Sequence, residues 1–167
     1  GSIYQNEINF VPKNYNYKII IAPHEMKEVE KFKQLPNSIL YSKANDKNIK
    51  NYSLIIIDNI GMLSNLYQYA DVAFIGGGFK SGIHNILEAA IFNCPCIFGP
   101  NYKKFPEAID LIKIGAAKTI KTKNEFEVSL NYFLKNKEKI NSFDYCLNKK
   151  GATKKIFEIL KKRESIL

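Results

Sequence analysis

His84, Asn85 and Glu88 lie close together just after a run of three glycines, Gly76-Gly77-Gly78. On a helix, residues four apart share a face and residues three apart are neighbours, so imidazole, amide and carboxylate form one polar triplet. A carboxylate so placed accepts hydrogen bonds from the vicinal hydroxyls of a ribose, and an imidazole donates to a phosphate or carboxylate. The glycines let the backbone approach a ligand and adopt positive φ, while the first N–H groups of the following helix favour negative charge. An apolar strand from Val72 to Ile75 enters this loop, and a second runs from Pro95 to Phe98 after the helix. That layout turns a helix N-terminus into an anion site, so the chemistry expected is capture of a phosphate ester. A glycine turn with a solvated His/Glu face is the commoner meaning of any one of these features. The joint pattern, a polar triplet at the mouth of a parallel strand, is what a site needs and packing does not.

The elements that must position these groups follow from periodicity. Apolar, β-branched runs at Lys18 to Ala22, Ser38 to Tyr41, Leu54 to Asp58, Asp71 to Ile75, Pro95 to Phe98 and Ala117 to Ile120 predict strands. Helices are expected over Met26 to Gln34, Leu63 to Tyr69, His84 to Phe92, Pro106 to Ile114 and Glu125 to Leu134, with Ile83, Leu87 and Ala90 as the sheet-facing stripe of the third. Such alternation implies an α/β fold, a Rossmann-like parallel sheet with helices on both faces. Ligands of these sheets bind at the C-terminal strand edges, which brings Pro23-His24-Glu25, Asp58 to Met62, Gly76 to His84 and Gly99 to Lys104 to one rim. Beyond Ile120 the chain reads as a helical C-terminal tail, with Gly151 between two helices and Ile156, Ile159 and Leu160 forming an apolar stripe. That stripe packs either on its own sheet or on a partner.

The 167 residues suit a single domain, residues 1–167, and 46% hydrophobic with 25% charged residues is ordinary for a soluble globular chain. No apolar run approaches the roughly 20 residues needed to span a bilayer, and no basic-then-apolar leader opens the chain. A net charge of +9 invites anionic partners, but the lysines are scattered except in the tail, at Lys149-Lys150, Lys154-Lys155 and Lys161-Lys162-Arg163. A solvated helical face is the first reading of that charge, an anionic membrane surface the second, and nucleic acid, for want of any recognition motif, is set aside. Cys94, Cys96 and Cys146 lack the spacing of a zinc site and, being odd in number, of a disulfide framework; they read as small buried hydrophobes.

The stretch Gly76-Gly77-Gly78, then Gly82-Ile83-His84-Asn85-Ile86-Leu87-Glu88-Ala89-Ala90 and Pro95-Cys96-Ile97-Phe98-Gly99-Pro100 resembles the donor-binding half of the bacterial 3-deoxy-D-manno-octulosonic acid (Kdo) transferases, glycosyltransferases of the GT-B architecture. The commoner family form has Gly-Gly-Ser and Gly-Gly-His-Asn, so Gly78 and Ile83 depart from it. Ala22-Pro23-His24-Glu25, Asp58-Asn59-Ile60-Gly61-Met62-Leu63, Phe105-Pro106-Glu107-Ala108 and Gly115-Ala116-Ala117 continue the likeness in the family's order, over roughly Ile19 to Ile120. Gly1-Ser2 reads either as a cloning scar or, with Ile3-Tyr4 and Glu7, as the family's Gly-Ser-Thr-Trp and acidic pair, which follows the first strand of the donor domain.

The resemblance implies one half of a GT-B fold that binds CMP-Kdo and passes Kdo to a lipid A precursor in lipopolysaccharide biosynthesis. It places the general base in an N-terminal acceptor domain absent from this chain, so no residue here is expected to be catalytic. Substrate-binding residues are then Pro23, His24 and Asn85, together with Asn59, Ile60, Gly61 and Met62 for the base, Gly76, Gly77, Gly78 and His84 for the leaving phosphate, and Glu88 for the ribose. No metal and no cofactor are expected. A peripheral place on the cytoplasmic face of the inner membrane is implied, with the 1–167 fragment itself soluble and inactive alone. The residues leave two alternatives open, a donor domain for a UDP-sugar and a non-catalytic α/β binding module.

Overall fold

The structure, a computed structural model, describes residues 2–12 and 17–164. Six strands follow the expected sites closely and one is new: β1 (Ser2–Ile3), which no apolar run marked, then β2 (Ile19–Pro23), β3 (Ser38–Leu40), β4 (Leu54–Ile56), β5 (Ala73–Ile75), β6 (Cys96–Phe98) and β7 (Ala117–Thr119). Every pairing is parallel. The strands form two sheets rather than one, ordered β1-β2-β4-β3 and β5-β6-β7. β1 is the short segment at the free edge of β2, pairing Ser2 with Ala22 and Ile3 with Pro23, level with the C-terminal end of that strand.

Helices cover both faces of each sheet, because successive residues of a strand point opposite ways. In the second sheet Cys96 and Phe98 pack with α3 (Leu87–Ala90), α4 (Pro106–Lys113) and α6 (Phe143–Asn148) through Ala89, Ala90, Ala108, Leu111 and Cys146. Ile97 between them turns to α5 (Lys123–Asn136), meeting Phe126 and Phe133. The first sheet repeats the pattern, with Ile21, Leu54 and Ile56 against Val29 and Phe32 of α1 (Val29–Phe32), and Ala22, Ile55 and Ile57 against Leu63 and Leu66 of α2 (Leu63–Leu66). Cys94 and Cys96 are buried and Cys146 half-buried, all as free thiols.

Several helices are shorter than their sequence patterns predict. The segment expected as Met26 to Gln34 is a 3-10 turn, Met26–Glu28, followed by α1, and Leu63 to Tyr69 is α2 closed by a 3-10 turn, Tyr67–Tyr69. The helix expected from His84 begins only at Leu87, since the His84 N–H donates back to the Gly76 carbonyl at 2.9 Å and the Asn85 side chain takes the Leu87 N–H at 3.1 Å. The inward stripe shifts with it: Ile83, Ile86, Ala89 and Ala90 are buried, and Leu87, expected among them, is 37% exposed. Elsewhere local signals hold. Pro106 opens α4, a Thr122–Glu125 capping box opens α5, and Gly151 at φ +95° precedes α7 (Ala152–Glu164). On α7 the apolar residues Ile156, Phe157, Ile159 and Leu160 are all more than half exposed, so the stripe does not pack on its own sheet. Among the described residues no helix is long and apolar enough to cross a membrane.

Candidate functional site

Two histidines from different strand ends meet at the C-terminal rim. His24 follows β2 and His84 follows the glycine loop after β5, and their rings stack with centroids 4.4 Å apart and planes 19° from parallel. Ser2 joins them: its hydroxyl lies 2.7 Å from Nδ1 of His84 and 3.4 Å from Nδ1 of His24. Its carbonyl oxygen is also 3.0 Å from His84 Nδ1, so that nitrogen faces both an acceptor and a hydroxyl able to donate or accept. Tyr4 packs on both rings, at 4.4 Å from His24 and 5.4 Å from His84, and Lys80 Nζ sits 3.9 Å above the Tyr4 ring. The partly buried His84 is held below its ordinary pKa, first by burial and also by neighbouring His24, against the opposing pull of the Ser2 carbonyl.

Beneath this pair lies Glu7, only 1% exposed. Its carboxylate accepts from the Gly77 N–H at 2.8 Å and the Tyr4 N–H at 2.9 Å. Burial raises its pKa, and the two backbone donors draw it partly back. Gly76, Gly77 and Gly78 are themselves buried. A Cβ on Gly76 would collide with the Ser2 carbonyl, one on Gly77 would press on the His84 ring, and one on Gly78 would come within 2.6 Å of the Gly99 nitrogen. The Gly77 N–H, which the glycine loop offers to a phosphate, donates in this structure to Glu7. The helix expected to start at His84 starts at Leu87, so α3 is a single turn and His84 precedes it.

The remaining nominated residues form two further groups on the same rim. Asn85 Nδ2 donates to Glu88 Oε1 at 3.0 Å, so these two meet as the spacing predicted, though Asn85 stands outside the helix. After β4, Asn59 Nδ2 lies 2.9 Å from Met62 Sδ, Ile60 is 87% exposed, and Gly61 takes φ +94° with nothing near its Cβ position. Asp58, just before, accepts from the backbone N–H of Ser42 at 3.0 Å and from its hydroxyl, which anchors the base of that loop. Pro23 pairs with Ile3 and so fixes where His24 emerges. The structure therefore gathers Pro23, His24, Gly76, Gly77 and His84, while Asn85 pairs with Glu88 and Asn59 with Met62. Ser2, Tyr4, Glu7 and Lys80 join the cluster without belonging to the glycine triplet or the helix pattern. The signal was in the opening Ser2-Ile3-Tyr4 with Glu7, whose place at the rim no local pattern reveals. Among the described residues no three His, Cys, Asp or Glu side chains converge as metal ligands do.

A parallel α/β domain whose loops gather at the C-terminal strand edges is a fold that binds ligands along that rim. The chain shares its fold with the crystal structure of the C-terminal CMP-Kdo binding domain of WaaA from Acinetobacter baumannii, with a TM-score of 0.67 and 20% identity, over 78% of this chain and 73% of that one. In sequence it is similar to 3-deoxy-D-manno-octulosonic acid transferases. It is 26% identical to that of Aquifex aeolicus over 91% of this chain and 46% of the relative, and 35% identical to that of Rickettsia conorii over 62% of this chain and 23% of the relative. The chain thus spans less than half the length of these curated relatives. No family model matches it.

Proposed function

We propose that this chain is the donor-binding half of a Kdo transferase, holding CMP-Kdo for transfer to a lipid A precursor whose acceptor site and general base lie in another part of the protein. The observation that carries the reading is the cluster of Ser2, His24, Lys80 and His84, which supplies N–H, O–H and ammonium donors at the rim where parallel α/β sheets bind ligands. With Gly77 committed to Glu7, these side chains rather than the glycine backbone receive the phosphate of the donor. Their task in an inverting displacement is to stabilise the charge that develops as CMP departs. Glu88, oriented by Asn85, accepts from the ribose hydroxyls, and the open Asn59–Met62 loop closes on the base. The same reading gives the protein a peripheral place on the cytoplasmic face of the inner membrane. The net charge of +9 and the exposed apolar residues of α7 support an interfacial position there.

The test is calorimetric titration of the chain with CMP, UMP and AMP. CMP is expected to bind best, His84→Ala and His24→Ala to weaken it, and a chelator to leave it unchanged, since lysine and imidazole donors neutralise the phosphate. Preference for UMP assigns the domain to a UDP-sugar enzyme instead, and binding of none of the three makes it a non-catalytic module. With labelled CMP-Kdo and a lipid A precursor the chain alone should give no turnover. Turnover abolished by a change within the chain would place a complete active site here.

A further inference from the structure

His24 and His84 are the two histidines of the whole chain, and both turn the same ring atom towards one hydroxyl. Nδ1 of His84 lies 2.7 Å from the Ser2 hydroxyl, and Nδ1 of His24 lies 3.4 Å from it. That hydroxyl has a single proton to give, and a neutral imidazole has a single N–H. Both contacts are therefore hydrogen bonds only when at least one ring keeps its own proton on Nδ1. The Ser2 carbonyl, 3.0 Å from Nδ1 of His84, favours that ring for the part. The Nε2 atom of a ring so arranged is a bare acceptor. A neutral pair accordingly offers a ligand at most one Nε2–H. Among the described residues neither Nε2 has a hydrogen-bond partner, and that of His84 stands beside Gly77, 3.0 Å from where a Cβ would lie. A fully ionised phosphate has acceptor oxygens alone, so to hold one with both rings the pair needs one proton more than it carries when neutral.

The charges around the pair set how many protons it takes. Glu7 lies beneath, its carboxylate on the Gly77 and Tyr4 N–H groups, and Glu25 follows His24 in an ion pair with Lys27. Lys80 stands over Tyr4, the ring that packs on both histidines, and opposes a positive charge there, as the amino terminus does at His84. Two imidazolium rings stacked at 4.4 Å would repel each other, so one added proton is favoured by an arriving anion and a second is resisted. We infer that the His24–His84 pair is a proton-linked phosphate seat, which takes up one proton from solvent as it receives a phosphate dianion. With that proton both Nε2 atoms carry hydrogen and face the ligand, one Nδ1 donates to the Ser2 oxygen, and the Ser2 hydroxyl donates to the other Nδ1. No bond of the ligand changes. For the nucleotide this rests on the donor-site reading, to which it adds that the affinity of the site is governed by pH.

Because the chain holds no third histidine, imidazole C–H resonances report on this pair alone. They are followed through a pH titration of the chain by itself, with saturating CMP, with cytidine, and with excess sulfate, which stays a dianion throughout. CMP and sulfate are expected to raise the first protonation step of the pair by about one pH unit or more, and cytidine to leave it in place. Calorimetric affinity for CMP should fall by about tenfold for each unit of that shift as pH rises through the interval. His24→Gln and His84→Gln separate the pair from simple attraction. A lone ring takes the Ser2 proton on Nδ1 and keeps its own on Nε2, so either variant should bind CMP more weakly and lose most of the shift. A shift undiminished in both variants means that each ring answers singly to the anion, and overturns the inference. CMP that binds without moving the titration also overturns it and leaves the donor-site reading intact. Failure of CMP to bind, with the sulfate shift present, does the reverse. No shift with either anion overturns the inference outright.

Discussion

The loops after β4 and β5 end neighbouring tiers of the same rim, and each turns on a glycine with positive φ, Gly61 at +94° and Gly77 at +88°. Their surroundings are opposite. Around Gly76 to Gly78 every missing side chain is replaced by a neighbour: β1 and Glu7 against Gly76, the Gly82 carbonyl and then His84 against Gly77, Gly99 against Gly78. Around Gly61 there is open space, and Ile60 beside it is almost fully exposed. One loop is a packed wall whose purpose is to hold two imidazoles in place. The other has no such packing around its glycine. Glycine in a binding motif thus reports either close packing or freedom, and only the neighbours say which.

The contrast can be broken most directly by alanine. Gly76→Ala forces β1 away from the sheet and is expected to cost about 2–3 kcal/mol, the range of overpacking in a tight core. Gly61→Ala meets no atom and bears only its left-handed backbone, about 1–2 kcal/mol. Urea unfolding of both variants decides; equal losses would mean that the glycine loop is not the rigid partner. Next in size is Glu7→Ala, which leaves the buried Gly77 and Tyr4 N–H groups without an acceptor and should cost about 2 kcal/mol. Glu7→Gln retains one acceptor oxygen and should recover part of that loss. Full recovery would show that only one of the two hydrogen bonds matters.

How much of this was legible in the sequence differs between the same two loops. All six strands expected from apolar runs are present, as is the helix start at Pro106, because they depend on local backbone chemistry, while the helix expected from Glu125 starts two residues earlier at Lys123. The start of α3 was misplaced because His84 is held by a bond to Gly76 eight positions earlier, which a helical period does not encode. For the same reason Leu87 was placed inward and Ile86 was not. The Asn85–Glu88 pair was readable from its three-residue spacing. The Glu7–Gly77 bond and the His24–His84 stack join segments far apart in the chain, and their geometry exists only once β1 lies beside β2. The division of the sheet had the same origin. Strand propensity marks where strands form but not which edges remain open.

On the ligand side, Glu88→Ala tests the groups that stand apart from the wall. Glu88 is half-buried and hydrogen-bonds Asn85 within its own segment, so its loss should leave the fold unchanged. Removing carboxylate contacts to a ribose should weaken CMP by about tenfold or more, given about 1.5–3 kcal/mol for a hydrogen bond to a charged group. Unaltered calorimetric affinity would return Glu88 to the solvated surface.

The smallest effect expected is a dependence of stability on pH that separates the two buried titratable groups of the wall. His84 is held below its ordinary 6.5 by burial, so the unfolded chain takes up that proton first as pH falls. Stability is then level above 6.5 and declines below it, until the folded imidazole also protonates. Glu7 acts with the opposite sign. Burial raises its pKa above the ordinary 4.5, so the folded protein binds the proton first, and stability is gained as pH falls through the raised value towards 4.5. Urea midpoints at about pH 7.5, 6.5 and 5.5 should therefore fall less in His84→Gln than in the parent, and more in Glu7→Gln, where only the histidine term remains. If His84→Gln leaves the parent slope untouched, the imidazole does not sit sheltered against Gly77 and Ser2. The wall would then be as open as the loop after β4.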